Sequence, residues 1–169
     1  MSLKNREILI EILKDFEDFA KMRGIFYPPI YLVGGSGCIL GDYLDRATLD
    51  IDFLDMDYPS KIGRLFKLFD EYDMLDLYLT TVPLSFKKRA KKIQDFSNIF
   101  VLSKEDIIVS KIGRYSEKDI EDIVLLIVES DVQLIISLIN EVIERDNISE
   151  IVLNEFKKNV IQFKDDFHV

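Results

Sequence analysis

Apolar residues recur at helical spacing at the start of the chain and through most of its second half. The spacing predicts an amphipathic helix over residues 4–22. Further helices are predicted after Ser60 and after Ser103, because each serine can cap the apolar repeat that follows it. Residues 117–169 predict three more helices, separated by two short breaks. Helices therefore dominate both ends of the sequence.

Short apolar segments between the predicted helices have the length and alternation of β-strands. A helix over residues 36–44, with Ser36 as its N-cap, is predicted between the first two strands. This order predicts an α/β (α+β) fold, in which a mixed β-sheet is flanked by helices and the C-terminal helices pack on the core. We expect one compact unit made of a core domain (1–115) and a helical extension (116–169). The predicted strands are residues 30–33, 48–55, 74–82 and 98–103.

Composition and charge limit the classes of protein to consider. The chain has 169 residues and a net charge of −9, which argues against bulk binding of duplex nucleic acid but permits a local basic patch. A single cysteine, Cys38, excludes an intrachain disulfide and fits a reducing compartment. Neither a signal peptide nor a membrane span is predicted, since charged residues interrupt the apolar stretch 123–143. We therefore expect a cytoplasmic protein.

Two carboxylates interrupt the second predicted strand. Asp50 and Asp52 are two residues apart, so both side chains point to one face while Ile51 and Phe53 point to the other. Converging carboxylates are the hard oxygen ligands that Mg²⁺ prefers, and a cation would relieve their repulsion. Asp76 interrupts the third predicted strand in the same way and is the candidate third ligand. The alternative is an edge strand that exposes its acids to solvent.

A glycine-rich turn follows the first predicted strand. Gly34, Gly35 and Ser36 lead into the predicted helix, where backbone N–H groups can bind phosphate and glycine allows close approach. The alternative is a simple strand-to-helix turn. The segment lacks the G-x-G-x-x-G pattern of dinucleotide-binding folds and the Gly-Lys-Ser/Thr of a P-loop. The combination of glycine turn, short helix and D-x-D strand is more specific than either half alone.

Several stretches together resemble a known superfamily. Gly-Gly-Ser, then residues 37–49, then Asp-Ile-Asp is similar to the signature of the DNA polymerase beta-like minimal nucleotidyltransferase superfamily. "RATLDIDF" is similar to the small prokaryotic nucleotidyltransferase-like proteins related to abortive-infection (AbiEii-type) toxins. Three later stretches also resemble that group: "LDLYLTTVPLSFKKRAKKI", "VLSKEDIIVSKIGRY" and "EKDIEDI". The resemblance covers roughly residues 30–127.

The resemblance implies a nucleotidyltransferase-type mixed sheet and a function. Gly35 and Ser36 would grip the phosphates of an NTP beside Gly34. Asp50 and Asp52 would hold the catalytic Mg²⁺ (or Mn²⁺), with Asp76 as third ligand or as base. An acceptor hydroxyl on an RNA end, a protein or a small molecule would then attack the α-phosphorus and release pyrophosphate.

Basic residues offer support for such a site. Residues 87–92, "KKRAKK", carry five positive charges and could hold triphosphate or an RNA backbone, or form a solvated surface. Arg89 is the preferred candidate there because it aligns with a basic position in the similar proteins. Arg46 and Thr48 precede the acids and can contact phosphate or pack the loop. Lys111 either turns toward the acids or extends to solvent.

Two acidic residues outside the D-x-D segment are assigned a structural role. Asp119 and Asp122 share a helix face with basic neighbours and are interpreted as structural ion pairs.

The alternative function is a non-catalytic or conditionally active component of a toxin–antitoxin-like system, which binds a protein partner or a second copy. A complete set of acids favours the enzyme. The sequence identifies neither the NTP nor the acceptor.

Overall fold

The short apolar segments form one sheet, and the helices precede its strands, lie between them or follow them in the sequence. In the computed structural model, which describes residues 2–169, the chain divides into two units. Unit 1 runs to Leu75 and also contains Ala90–Leu102. Unit 2 comprises Asp76–Arg89 and Ser103–Val169. The division into residues 1–115 and 116–169 stays a prediction. A mixed α/β fold is confirmed, since the sheet contains both parallel and antiparallel pairs.

Unit 1 holds the sheet and three helices. The helices are α1 (Arg6–Met22), α2 (Gly34–Leu40) and α3 (Ser60–Gly63), and the strands are β1 (Ile30–Leu32), β2 (Ile51–Leu54), β3 (Tyr72–Leu75), β4 (Lys91–Lys92) and β5 (Ile99–Val101). The strand order is β3-β2-β1-β5-β4. β1 is parallel to β5 and antiparallel to β2, while β2 and β3 are parallel. The end of β1 and the starts of β2 and β3 therefore lie at the same end of the sheet.

The core of unit 1 is rich in aromatic side chains. Phe16 of α1, Phe53 of β2 and the 3₁₀ turn Leu65–Phe69 pack together, with the Phe53 and Phe66 ring centroids 4.6 Å apart. Such rings bury large apolar areas, which stabilises the attachment of α1 to the sheet. Because Phe53 is fully buried, the opposite face of β2 is left for Asp52.

Unit 2 is built from the four C-terminal helices. They are α4 (Lys104–Ile112), α5 (Glu117–Ile127), α6 (Val132–Ile143) and α7 (Glu150–Phe167). The predicted N-cap at Ser103 is confirmed, since its hydroxyl oxygen accepts the N–H of Asp106. Ser116 and Asp119 form a capping box at the start of α5. Within residues 2–169, no helix combines the length and apolar character needed to cross a membrane.

Arg145 ties the start of unit 2 to its helices. Its buried guanidinium donates to the carbonyls of Leu77 and Thr80, each at 2.8 Å, and of Val82 at 2.9 Å. These carbonyls lie in an irregular segment that has no strand partner to satisfy them. Arg145 is thus the hydrogen-bonding partner that replaces a strand there.

Three sequence predictions about local structure were wrong. Helix α2 begins at Gly34 with Val33 as N-cap, so Ser36 lies inside the helix and does not cap it. The third strand ends at Leu75, and residues 77–79 form a 3₁₀ turn instead of continuing the predicted strand over 74–82. Ser60 is the first residue of α3, with Pro59 as N-cap, and α3 is only four residues long before the chain tightens into a 3₁₀ turn.

Candidate active site

Gly34 lies where the chain leaves β1 and approaches the acidic strand. Its φ is +62°, and a Cβ on Gly34 would lie 2.2 Å from Oδ2 of Asp52. Both the backbone conformation and the lack of space therefore require glycine at this position. The predicted role of glycine in allowing close approach has a physical basis here, and the group that approaches is the Asp52 carboxylate.

Gly35 brings a backbone donor and two further side chains to the same point. Its N–H donates to Oδ2 of Asp52 at 3.2 Å. A Cβ on Gly35 would lie 2.9 Å from Oγ1 of Thr48 and 3.1 Å from Nη2 of Arg46. The turn is therefore enclosed by a carboxylate, a hydroxyl and a guanidinium that are distant from it in sequence. Gly34, Gly35, Arg46, Thr48 and Asp52, predicted from the sequence, come together in unit 1.

Ser36 holds the strand in place from inside the helix. It has no solvent exposure, and its hydroxyl accepts the N–H of Asp52 at 2.9 Å. The same hydroxyl contacts the carbonyl oxygens of Val33 at 3.3 Å and Asp52 at 3.4 Å. Ser36 therefore fixes the backbone of Asp52 against the turn, a positioning role for a residue that was predicted to contact the nucleotide.

Asp52 is the second residue of β2, and Asp50 directly precedes the strand. Asp50 and Asp52 are each half-buried, whereas Ile51 and Phe53 are fully buried. The predicted alternation between two faces is confirmed over Ile51, Asp52 and Phe53, while Asp50 lies in a bend before the strand. Oγ1 of Thr48 donates to Oδ1 of Asp50 at 3.4 Å, a long contact that joins the loop to the first acid.

The neighbouring strand supplies an acid that the sequence analysis did not single out. Asp73 of β3 is in register with Asp52, so the two side chains point to the same face of adjacent parallel strands. Asp76 follows the end of β3, belongs to unit 2, and accepts the N–H of Tyr78 at 2.8 Å as a cap. Its role as third ligand stays a prediction. The signal that points to Asp73 is strand register, which one sequence does not reveal.

The pair of acids beside the glycine turn is the candidate metal site. Within residues 2–169, no cluster of three or more His, Cys, Asp or Glu side chains is arranged to hold a metal ion. Mg²⁺ usually takes one or two protein carboxylates and completes its shell with phosphate oxygens and water. Asp50 and Asp52 provide such a pair of hard oxygen donors beside the glycine turn.

The Arg89 guanidinium forms an ion pair with a buried carboxylate of unit 2. Its Nε donates to Oδ2 of Asp106 at 3.0 Å and its Nη2 donates to Oδ1 at 2.7 Å, a two-pronged pair. Asp106 has no solvent exposure and also accepts the hydroxyl of Ser103 at 2.7 Å. A buried carboxylate needs such partners, so the geometry gives Arg89 a structural role. Its predicted contact with nucleotide stays untested.

Lys111 is likewise buried in an ion cluster of unit 2. Its Nζ lies 2.7 Å from Oδ2 of Asp122 and 3.4 Å from Oδ1 of Asp119, which also pairs with Arg114 at 2.9 Å. Lys111 turns inward toward these two acids, and its predicted contact with nucleotide stays a prediction. Burial raises the pKa of Asp119, but hydrogen bonds from Arg114 and Ser116 and the charge of Lys111 outweigh it and hold that pKa below its usual value. The interpretation of Asp119 and Asp122 as ion-pair partners agrees with these contacts.

Comparison with known proteins identifies the family. The family model described as nucleotidyltransferase of unknown function (DUF6036) matches residues 8–168. No curated protein and no solved structure matches the chain. The matched range includes the glycine turn, both acids of the D-x-D segment and all four C-terminal helices. The chain therefore belongs to this family of nucleotidyltransferases.

Proposed function

We propose that this protein transfers a nucleoside monophosphate from an NTP to an acceptor hydroxyl and releases pyrophosphate. The acceptor oxygen forms a bond to the α-phosphorus as the bond to the bridging oxygen breaks. Pyrophosphate leaves with that electron pair, and the hydroxyl proton passes to a carboxylate of the site or to solvent. Family membership supports nucleotidyl transfer in general, and the unit 1 geometry supports this form of it.

The observation that carries the proposal is the convergence on Asp52. The N–H of Gly35, the hydroxyl of Ser36 and the space left by Gly34 all meet this one residue. A turn built only to reverse the chain does not need a carboxylate pressed against its glycine. An NTP–metal complex does, because the phosphate needs backbone donors while its cation needs acidic oxygens.

Each residue of the site has a distinct task in this proposal. Asp50 and Asp52 hold Mg²⁺ or Mn²⁺, which offsets the charge that develops on the phosphate oxygens. The N–H groups of Gly34 and Gly35 bind the phosphates, and the Arg46 guanidinium adds a positive charge next to Gly35. Thr48 orients Asp50 through its hydroxyl.

Thermal melting with each of the four NTPs, with and without Mg²⁺, tests the proposal. A ligand that binds the native state raises the melting temperature by mass action. We expect a rise that needs both Mg²⁺ and a particular NTP, and its loss in Asp52→Asn. Asp15→Asn, which removes an exposed charge from α1, is the matched control and should keep the rise. A wild-type shift in Asp52→Asn would refute the metal assignment.

A second candidate function is supported by one surface of unit 2. Helix α5 and its C-cap residue expose Val124, Leu125 and Val128, with Val128 79% exposed. A non-catalytic or conditionally active component that binds a partner or a second copy, as in an AbiEii-type toxin–antitoxin system, would use such a face. Sedimentation of the wild type against Leu125→Asp/Val128→Asp tests it. Equal sedimentation as monomers would remove self-association from consideration.

A further inference from the structure

Unit 1 contains a cavity that the proposed donor site does not use. It has a volume of about 390 Å³ and lies among α1, the loop after α2, and the β4 strand with its following turn. Arg6 and Lys14 line it from α1, and Lys91 and Lys92 line it from β4. Arg6, Ile10 and Lys14 are four residues apart in turn, so one face of α1 forms the wall.

The charge of this cavity is opposite to that of the whole chain. Four basic side chains line it against two carboxylates, Asp42 and Asp95, a local balance of 4 − 2 = +2 in a chain of net charge −9. Nε of Arg6 pairs with Oδ1 of Asp42 at 2.7 Å. Within residues 2–169, the three lysines of the cavity have no carboxylate at ion-pair distance. Clustered, uncompensated lysines on an acidic protein select an anionic ligand.

An aromatic ring distinguishes which anion the cavity suits. Nζ of Lys91 lies 6.0 Å from the centroid of the Tyr43 ring, and the Tyr43 hydroxyl donates to the carbonyl of Leu102 at 3.1 Å. The ring is therefore held by its hydroxyl as part of the cavity wall. A fixed ring beside lysines is the combination used for single-stranded nucleic acid, since bases stack on the ring while phosphates meet the cations.

The register of the sheet relates the cavity to the glycine turn. Lys91 is paired with Val101, and Val101 is paired with Leu32, two residues before Gly34. Two inter-strand spacings, about 10 Å, therefore separate Lys91 from the end of β1. Leu32 and Val101 face the core that α1 covers, so the cavity opens on the α1 face of the sheet, and Asp52 lies on the other face. The register therefore makes the cavity a site separate from the proposed metal ligands.

We propose that this cavity binds the sugar–phosphate backbone of a single-stranded nucleic acid. Lys14, Lys91 and Lys92 contact successive phosphates, and Tyr43 stacks on a base.

Fluorescence anisotropy with a short labelled single-stranded RNA, measured over a range of salt concentrations, tests the proposal. The variant is Lys14→Ala/Lys91→Ala. The control is Lys157→Ala/Lys158→Ala, which removes two exposed lysines from α7. The plot of log K against log salt has a negative slope, and each lost phosphate contact reduces the magnitude of that slope by about 0.7 for a single strand. We therefore expect weaker binding and a slope smaller in magnitude by about 1.4 in the variant, with no change in the control.

Three results would overturn the proposal. The first is no binding of the RNA by the wild type at low salt, and the second is equal losses in variant and control. The third is displacement of the RNA by polyglutamate at equal charge concentration, which would make the cavity a site for acidic protein. The NTP–Mg²⁺ melting shift, measured on the same samples, separates the two proposals. Its absence with lysine-dependent RNA binding intact would refute the transferase and leave the RNA site standing.

Discussion

The N–H of Gly35 donates to Oδ2 of Asp52 across 3.2 Å, so the N–H group proposed to bind phosphate is hydrogen-bonded to the carboxylate proposed to bind the metal. A phosphate that binds the N–H alone leaves the carboxylate without its donor, and a cation that binds the carboxylate alone leaves the N–H without its acceptor. When both ligands bind, each of the two groups has a new partner. We therefore expect NTP and Mg²⁺ to bind cooperatively, and by linkage each should raise the affinity of the other by the same factor.

Gly34 and Gly24 form a matched pair for testing the close approach. Both have φ of +62°, but a Cβ on Gly24 meets nothing within 4 Å, whereas one on Gly34 meets Asp52. Gly24→Ala should lower the free energy of unfolding by about 1–2 kcal/mol through backbone strain. Gly34→Ala should cost a further 1–3 kcal/mol or so from the clash and abolish NTP binding. Urea denaturation measures both, and equal losses would mean that the contact is unimportant.

Whether a third acid assists Asp50 and Asp52 is tested by Asp73→Asn and Asp76→Asn. Because Asp73 is in register with Asp52, its variant should weaken the Mg²⁺-dependent NTP shift. Asp76→Asn should leave that shift unchanged, since asparagine caps the 3₁₀ turn as well as aspartate does. Both variants remove one negative charge, so each is the other's control. The reverse result would restore Asp76 as the third ligand.

Arg89→Ala should act on stability and not on phosphate binding. Removing the guanidinium leaves the Asp106 carboxylate buried without its main partner, which costs about 3 kcal/mol. Lys88→Ala removes an exposed charge from the same basic stretch and should be nearly neutral. Chemical denaturation gives the stabilities, and NTP titration at a temperature where both variants are folded gives the affinities. A selective loss of triphosphate binding in Arg89→Ala would return Arg89 to the nucleotide site.

The pKa of Asp119 predicts how stability changes in acid. A carboxyl group with a folded-state pKa below its unfolded value contributes stability that is complete above the unfolded pKa, about 3.9. That contribution is lost as the pH falls through the lower folded-state value. The difference in unfolding free energy between wild type and Asp119→Asn should therefore shrink below about pH 4. Urea titrations from neutral pH downward measure it, and a constant difference would contradict the assignment.

The part of the site that is local in sequence could be predicted, and the part set by register could not. The turn at Gly34 and the two-residue spacing of Asp50 and Asp52 are visible as patterns. Asp73 becomes prominent only when β3 pairs with β2, which depends on contacts made across the whole sheet. Asp76 was preferred because it interrupts an apolar run, but that run leaves the sheet at Leu75.

Charged residues were harder to interpret than apolar ones for a related reason. Arg89 is part of a basic stretch, yet its guanidinium faces a buried acid 17 residues later. A sequence shows how many charges a segment carries but not which of them have partners. The exposed lysines of the same stretch, Lys91 and Lys92, are the ones that line a cavity. Arg89 differs from these two lysines because its partner, the Asp106 carboxylate, is buried and holds it in place.

The hydrogen bonds of Arg145 affect the order in which the chain acquires structure during synthesis. Its carbonyl partners in the 77–82 segment precede it by 63 to 68 residues. Every residue of unit 1 has been synthesised once Leu102 is added, but the first segment of unit 2 waits for α6 to be completed. On the ribosome, residues 77–82 therefore emerge early and stay without these partners while more than 60 further residues are added. We expect this segment to be the protease-sensitive part of nascent chains that stop before Arg145.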